Sequence, residues 1–173
     1  NIEIIAYDVL NSFSQACTTF VGQNLGAGEY DRTRKGARFG LWSAIILAEL
    51  IAVVTFFGAP VLVGAFTQEP EAIAFGVAKC RICAPFFCLL AASHGFASIL
   101  RGAGKSVIPM VAMLTFWCVV RVAFLSIMVP ITQSINTVNW VYPLTWFCST
   151  VFLLIYYLKA DWIHAFEREK HKT

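Results

Sequence analysis

Val21 to Arg38 reads VGQNLGAGEYDRTRKGAR, and this stretch decides the fold. It is the sustained polar, glycine-rich and basic segment inside a chain that is otherwise apolar. Gly22, Gly26 and Gly28 predict the end of one helix, because glycine accepts the left-handed and close-packed conformations of a helix stop. Glu29 and Asp31 predict the start of the next, where acidic side chains meet the positive end of the helix dipole. Arg32, Arg34, Lys35 and Arg38 follow, and a basic cluster between two apolar spans marks the cytoplasmic side of a membrane.

The composition agrees. Of 173 residues 58% are hydrophobic and only 13% charged, with a mean hydropathy of +0.70, too little charge to cover a soluble surface. The net charge is +3, and the basic residues sit at helix ends rather than along one face, so nucleic acid is not an expected partner. Residue 1 is Asn and the first turn is already apolar; no signal peptide is read here, and the chain is expected to be a piece of something longer.

Working outward, the sequence predicts an all-α, polytopic bundle of five membrane-spanning helices, at about 2–20, 30–66, 71–100, 106–129 and 138–160. A membrane domain covers 1–162, and a solvated basic tail covers 163–173. The first span is the most polar, with Glu3, Asp8 and Asn11, and is expected to face protein or water rather than lipid. Gly36 and Gly40 are spaced for close helix contact. Gly58-Ala59-Pro60 predicts a break in the second span and Pro85 a kink in the third. Alternating the spans from the organising loop leaves Arg32, Arg34, Lys35, Arg38, Arg101, Lys105, Lys159, Arg168, Lys170 and Lys172 on the cytoplasmic side, against Lys79 and Arg81 on the other. The C-terminus is then cytoplasmic, in a multi-pass protein of the cell (inner) membrane.

Six cysteines, at 17, 80, 83, 88, 118 and 148, lie in or beside apolar stretches, and read as packing residues rather than disulfides. Cys80-Arg-Ile-Cys83 has no second pair or suitably spaced histidine, so no metal is expected. Arg101-Gly-Ala-Gly-Lys105-Ser106 resembles the tail of a phosphate-binding loop, but position 99 is Ile where that motif needs glycine. No enzyme chemistry and no cofactor is read from the sequence.

Taken together and in this order, Thr18-Thr-Phe-Val-Gly-Gln-Asn-Leu-Gly-Ala-Gly28, the basic helix start after it, Leu100-Arg-Gly-Ala-Gly-Lys105 and Val141-Tyr-Pro143 resemble the multidrug and toxic compound extrusion (MATE) family. The resemblance covers nearly the whole chain. It implies helices eight to twelve of a twelve-helix, two-lobe transporter, with the N-terminal lobe of the same protein as the missing partner. It also implies an antiporter, coupled to H+ or Na+, that exports drugs, toxins or organic cations. The sequence departs from the family in that Ala72 to Leu100 has no Asp or Glu, although that helix carries a key carboxylate in some branches. A lipid-linked saccharide flippase of related fold and a non-transporting membrane anchor are the alternatives. The flippase calls for more cavity cations than Arg121, and the anchor has no need of ionisable residues inside the bilayer.

Four such residues are the transport or ion-coupling candidates: Asp8, Glu49, His94 and Arg121. At 1.5 Å per residue Asp8 and Arg121 lie about 18 and about 22 Å from the cytoplasmic edge, which predicts a pair. Glu49 and His94, at about 12 and about 9 Å, match similarly. Gly22, Gln23, Asn24, Gly26, Gly28, Arg101, Gly102 and Gly104 form the cytoplasmic loop motif, either capping helix ends or gating against the other lobe. Phe86, Phe87, Phe116, Trp117, Trp146 and Phe147 either pack or line a path for flat cationic substrates.

Overall fold

Backbone geometry at two glycine stops sets the frame. In the computed structural model, which describes residues 2–163 with side chains from Tyr7 onward except at 135, helix α1 (Ile2–Gly26) and helix α4 (Phe87–Gly102) end in the same way. After α1 the Glu29 amide reaches the Asn24 carbonyl and the Gly28 amide reaches Leu25. After α4 the Lys105 amide reaches Leu100 and the Gly104 amide reaches Arg101. Each is a Schellman closure, and Gly28 and Gly104 both take φ +79°, a conformation that strains any side chain.

The remaining elements are α2 (Tyr30–Gly64), α3 (Pro70–Cys83), α5 (Val107–Leu114), α6 (Arg121–Thr132) and α7 (Ile135–Lys159). A 3-10 turn at Ala84–Phe86 joins α3 to α4, where Pro85 has no amide to donate, so the expected kink is present. A π-helical turn at Thr115–Val120 joins α5 to α6; nothing in the sequence announces it. The break expected at Gly58-Ala59-Pro60 does not occur, and α2 runs through Pro60 to Gly64. Pro60 lies close to the helix end, so its missing amide and its ring disturb only the last turns. At 35 residues α2 is about 52 Å long, exceeding the roughly 30 Å hydrocarbon core, so its basic first turns project as a lead-in.

Four stretches among the described residues are long and apolar enough to cross a membrane: Tyr30–Gly64, Pro70–Gly102, Val107–Thr132 and Asn136–Lys159. The expected count was five. Helix α1 matches them in length, but Asp8, Asn11, Ser12 and Gln15 make it too polar to qualify by hydropathy. Its two faces explain the difference. Leu10, Ser14, Cys17, Val21 and Leu25 recur at helical spacing and are buried, while Asp8, Asn11, Ser12, Gln15 and Thr19 occupy the opposite, exposed face. The tail from 164 lies outside the described residues.

Small residues hold the helices together, as expected in a membrane where apolar surface alone gives helices no reason to associate. Along α2, Ala37, Ala44, Ala48, Ala52, Thr55 and Ala59 form a buried small-residue stripe. Gly36 receives the Phe20 ring of α1 and Gly40 abuts Cys17, as their spacing predicts. The closest approach of a glycine to another helix's backbone joins α1 to α4. A Cβ on Gly102 would stand 2.6 Å from the Thr18 carbonyl oxygen and 2.8 Å from the Val21 Cβ, and one on Gly22 would stand 3.3 Å from the Gly102 oxygen. Beside it the Thr18 hydroxyl donates to the Ser98 carbonyl at 3.1 Å. At this end Val21, Leu25, Ala103, Trp162 and Ile163 share one core cluster, so the three basic ends meet on one side of the bundle.

Gly102→Ala in the full-length protein is expected to cost about 1–3 kcal/mol, because two backbones must move apart. Gly26→Ala meets nothing within 4 Å and is expected to be neutral within about 1 kcal/mol. Thermal unfolding of the purified protein in detergent compares the two, and equal losses would rule out the close contact as the cause.

Candidate functional site

A cavity opens between α1, α4, the π turn and α7. Its volume is about 200 Å³, and Tyr7, Phe87, Leu90, Trp117, Arg121, Tyr142 and Trp146 line it. The two backbone irregularities supply three of these residues. The proline break leads directly into Phe87, and the π turn presents Trp117 and then Arg121, one turn apart. Non-helical backbone at membrane depth is tolerated where it is packed in protein or lines a cavity, as here.

Among the described residues Arg121 is the only charged one in this lining, and it sits inside an aromatic box. Its guanidinium carbon lies 4.5 Å from the Tyr142 ring centroid and 5.9 Å from that of Trp117, and Nη2 donates to the Thr145 hydroxyl at 3.0 Å. Nε is buried and has no partner. The Lys79 ammonium also lies 4.7 Å from the Tyr142 ring centre, so two cations contact one aromatic ring. A third cation placed about 4 Å from the guanidinium would meet a repulsion of about 4 kcal/mol at an effective dielectric of 20.

His94 stands next to the box, 5% exposed, with its ring 5.1 Å from Tyr7 and 5.4 Å from Trp117 in edge contacts. Neither imidazole nitrogen has a hydrogen-bond partner. Trp117 is itself fixed by its indole N–H donating to Ser149 at 3.3 Å.

The two expected pairs do not form. Asp8 is exposed on the polar face of α1, away from Arg121, whose contacts are Thr145 and the two rings. Equal depth does not bring them together, because the helical period points Asp8 away from the buried stripe. Glu49 does not reach His94 either. Its carboxylate accepts the backbone N–H of Cys88 at 3.0 Å, capping α4 just after the proline break. Of the aromatic candidates, Phe87, Trp117 and Trp146 line the cavity, while Phe86 meets Trp140, Phe116 meets Phe152 and Phe147 is exposed. Sequence reasoning missed Tyr7 and Tyr142 as lining residues. For Tyr7 the signal was available: it precedes Leu10 by three residues, on the edge of the buried stripe.

The cytoplasmic loop candidates divide in the same way. Gly22, Gly102, Gly28 and Gly104 make the close contact and the two closures, and Gly26 ends α1. Asn24 donates to the Phe20 carbonyl at 2.8 Å within its own helix. Gln23 borders the loop, and its carbonyl accepts the Ala27 amide. Arg101 folds back along α4, its Nε donating to Ala97 at 3.2 Å, and lines a smaller polar pocket with Asn11, Ser14, Gln15 and Thr18. Cys80 and Cys83 are buried, Cys80 against Ala59 and Val63, and Cys83 in the cluster around Phe87.

The MatE family profile matches residues 1–127, most of the chain. The chain belongs to the MatE family. Among solved structures it is similar to one described as the inward-facing conformation of a multidrug resistance MATE family transporter of the MOP superfamily, with a TM-score of 0.80 and 18% identity. The match covers 92% of this chain and 36% of that one, so the fold is shared and the chain spans about a third of the other's length. No curated protein matches the sequence. A MatE chain with these apolar helices is a multi-pass membrane protein.

Glu49→Ala strands the Cys88 amide beside the break and is expected to cost about 1–3 kcal/mol of stability, with Glu49→Gln recovering most of it through its carbonyl oxygen. Thermal stability of the three proteins in detergent is the measurement. Alanine and glutamine variants of equal stability would remove the cap from the account.

Proposed function

We propose that this chain is the C-terminal lobe of a cation-coupled antiporter that exports drugs or toxins, working with an N-terminal lobe of the same protein. It performs no covalent chemistry and is not an enzyme. The observation that carries the reading is the exposed polar face of α1. Asp8, Asn11, Ser12, Gln15 and Thr19 form it on a helix as long as the neighbouring spans. Such a face is expensive against lipid and calls for a water-filled path or a polar partner. The aromatic cavity and the Arg101 pocket border the same helix, so α1 carries a carboxylate on one face and borders a recess on the other.

Asp8 is the residue we assign to the coupling ion, H+ or Na+. Its carboxylate is exposed, whereas Glu49 is committed to the α4 cap. A transporter of this kind binds its ion near the midplane and rocks two lobes around it. The gathered basic ends support a cytoplasmic location for the organising loop, the Arg101–Lys105 loop and the end of α7, in the cell membrane.

Asp8→Asn in the full-length protein is expected to lower ion-gradient-driven dye efflux from proteoliposomes about tenfold or more while leaving folding intact, because an exposed side chain is lost without stranding a partner. Efflux that keeps its rate and its ion dependence would exclude Asp8 from coupling. Cysteines placed at the exposed positions Ala27 and Ser106 are expected to label from one side of the membrane and one at Gln68 from the other. Labelling of all three from one side would overturn the topology.

A further inference from the structure

We infer that the cavity around Arg121 is an oxyanion subsite, which takes the carboxylate of an aromatic acid or zwitterion rather than the positive end of an organic cation. The inference rests on the reading of the chain as a transporter lobe and names the chemistry of its cargo. An aromatic box ordinarily attracts cations, through the negative faces of its rings. Here that role is already filled, because the Arg121 guanidinium lies over Tyr142 and within reach of Trp117. The Lys79 ammonium also lies against the Tyr142 ring. Among the described residues no carboxylate lines the cavity, and Asp8 lies on the far face of α1. The charge that the described lining presents is therefore positive.

The donor geometry points the same way. A guanidinium carries five N–H donors in a planar fork that matches a carboxylate. The Arg121 side chain makes one hydrogen bond, to Thr145, and its buried Nε has no partner. Thr145 is itself committed to the Tyr142 carbonyl, at 3.0 Å, which holds its hydroxyl in place as the acceptor from Arg121. The fork is thus oriented by the protein and left with spare donors at the wall of a cavity whose other sides are aromatic rings and Leu90. At about 200 Å³ the space is smaller than a drug-sized pocket, and it suits one ring with its acid group. The rest of a larger ligand would lie outside it.

Equilibrium dialysis of the purified full-length protein against 1-naphthoate, 1-naphthamide and (1-naphthylmethyl)trimethylammonium separates charge from ring. Naphthoate is expected to bind about tenfold or more tightly than the carboxamide, with the ammonium weakest, since the charge-assisted fork is lost in both comparisons. Arg121→Gln is expected to equalise naphthoate and naphthamide, and Arg121→Lys to keep the order with a smaller ratio. The ranking in the unmodified protein tests the inference even if Arg121→Gln does not fold. Ammonium bound as tightly as naphthoate, or a naphthoate preference unchanged in Arg121→Gln, would overturn it. Binding of a polyprenyl diphosphate, with no naphthoate binding, would overturn the aromatic-acid assignment in favour of a lipid headgroup. Ion-driven dye efflux by a protein that fails the ranking leaves transport standing and removes only the subsite. The correct ranking without any efflux removes the export role instead.

Discussion

The contact between α1 and α4 at Gly22 and Gly102 is the constraint on which the rest of the lobe depends. Lipid tails solvate apolar helices as well as other helices do, so association here relies on close packing and on polar contacts between backbones. Two glycines and the Thr18–Ser98 hydrogen bond provide both at one level of the bundle. Because α1 and α4 close in the same Schellman geometry one turn beyond that contact, their basic loops emerge side by side. Trp162 and Ile163 then seat the end of α7 against the same cluster. Orientation in the membrane thus follows from local packing, since one contact assembles the charges that the membrane reads.

Polar groups inside the helices are nearly all accounted for, which is what a low-dielectric solvent demands. Ser93, Ser98, Thr145 and Ser149 each donate to a carbonyl three residues earlier, and Thr150 donates to Leu89 across α4 and α7. Glu49 takes the amide that the proline break leaves without a helical partner. The buried side-chain atoms without a hydrogen bond, among the described residues, are both nitrogens of His94 and Nε of Arg121. His94 and Arg121 both touch Trp117. A bundle that satisfies its polar atoms everywhere else and leaves three around one aromatic cavity has kept bonding capacity at that place.

Most of the helices, both glycine stops, the proline kink and the packing role of Gly36 and Gly40 were legible in the sequence, because each rests on a local rule of backbone or spacing. The pairings were not. Depth along a helix is one coordinate, and contact also requires the azimuth, which places Asp8 opposite Leu10 and Cys17. The azimuth of α1 could have been read from its buried and polar stripes, whereas that of Arg121 could not, because the π turn shifts the register just before it. Pro60 misled for a related reason. A proline breaks a helix only where continuation is the costlier alternative, and the last turns of α2 absorb it.

The separation of charges across α1 gives the site its logic. Asp8 stands on the exposed face, and the recess holding Arg121 lies against the edge of the opposite face through Tyr7. Asp8 points away from the recess, and the contacts of Arg121 are Thr145 and the two rings, so neither charge is taken up by the other. Had they paired, as equal depth predicted, an always-charged arginine would have held the carboxylate ionised and left both the cation site and the fork occupied by each other. Kept apart, neither side chain occupies the other. The polar stripe that makes α1 the poorest membrane span by hydropathy is what holds that carboxylate on its own side, so the least lipid-compatible helix carries the charge separation.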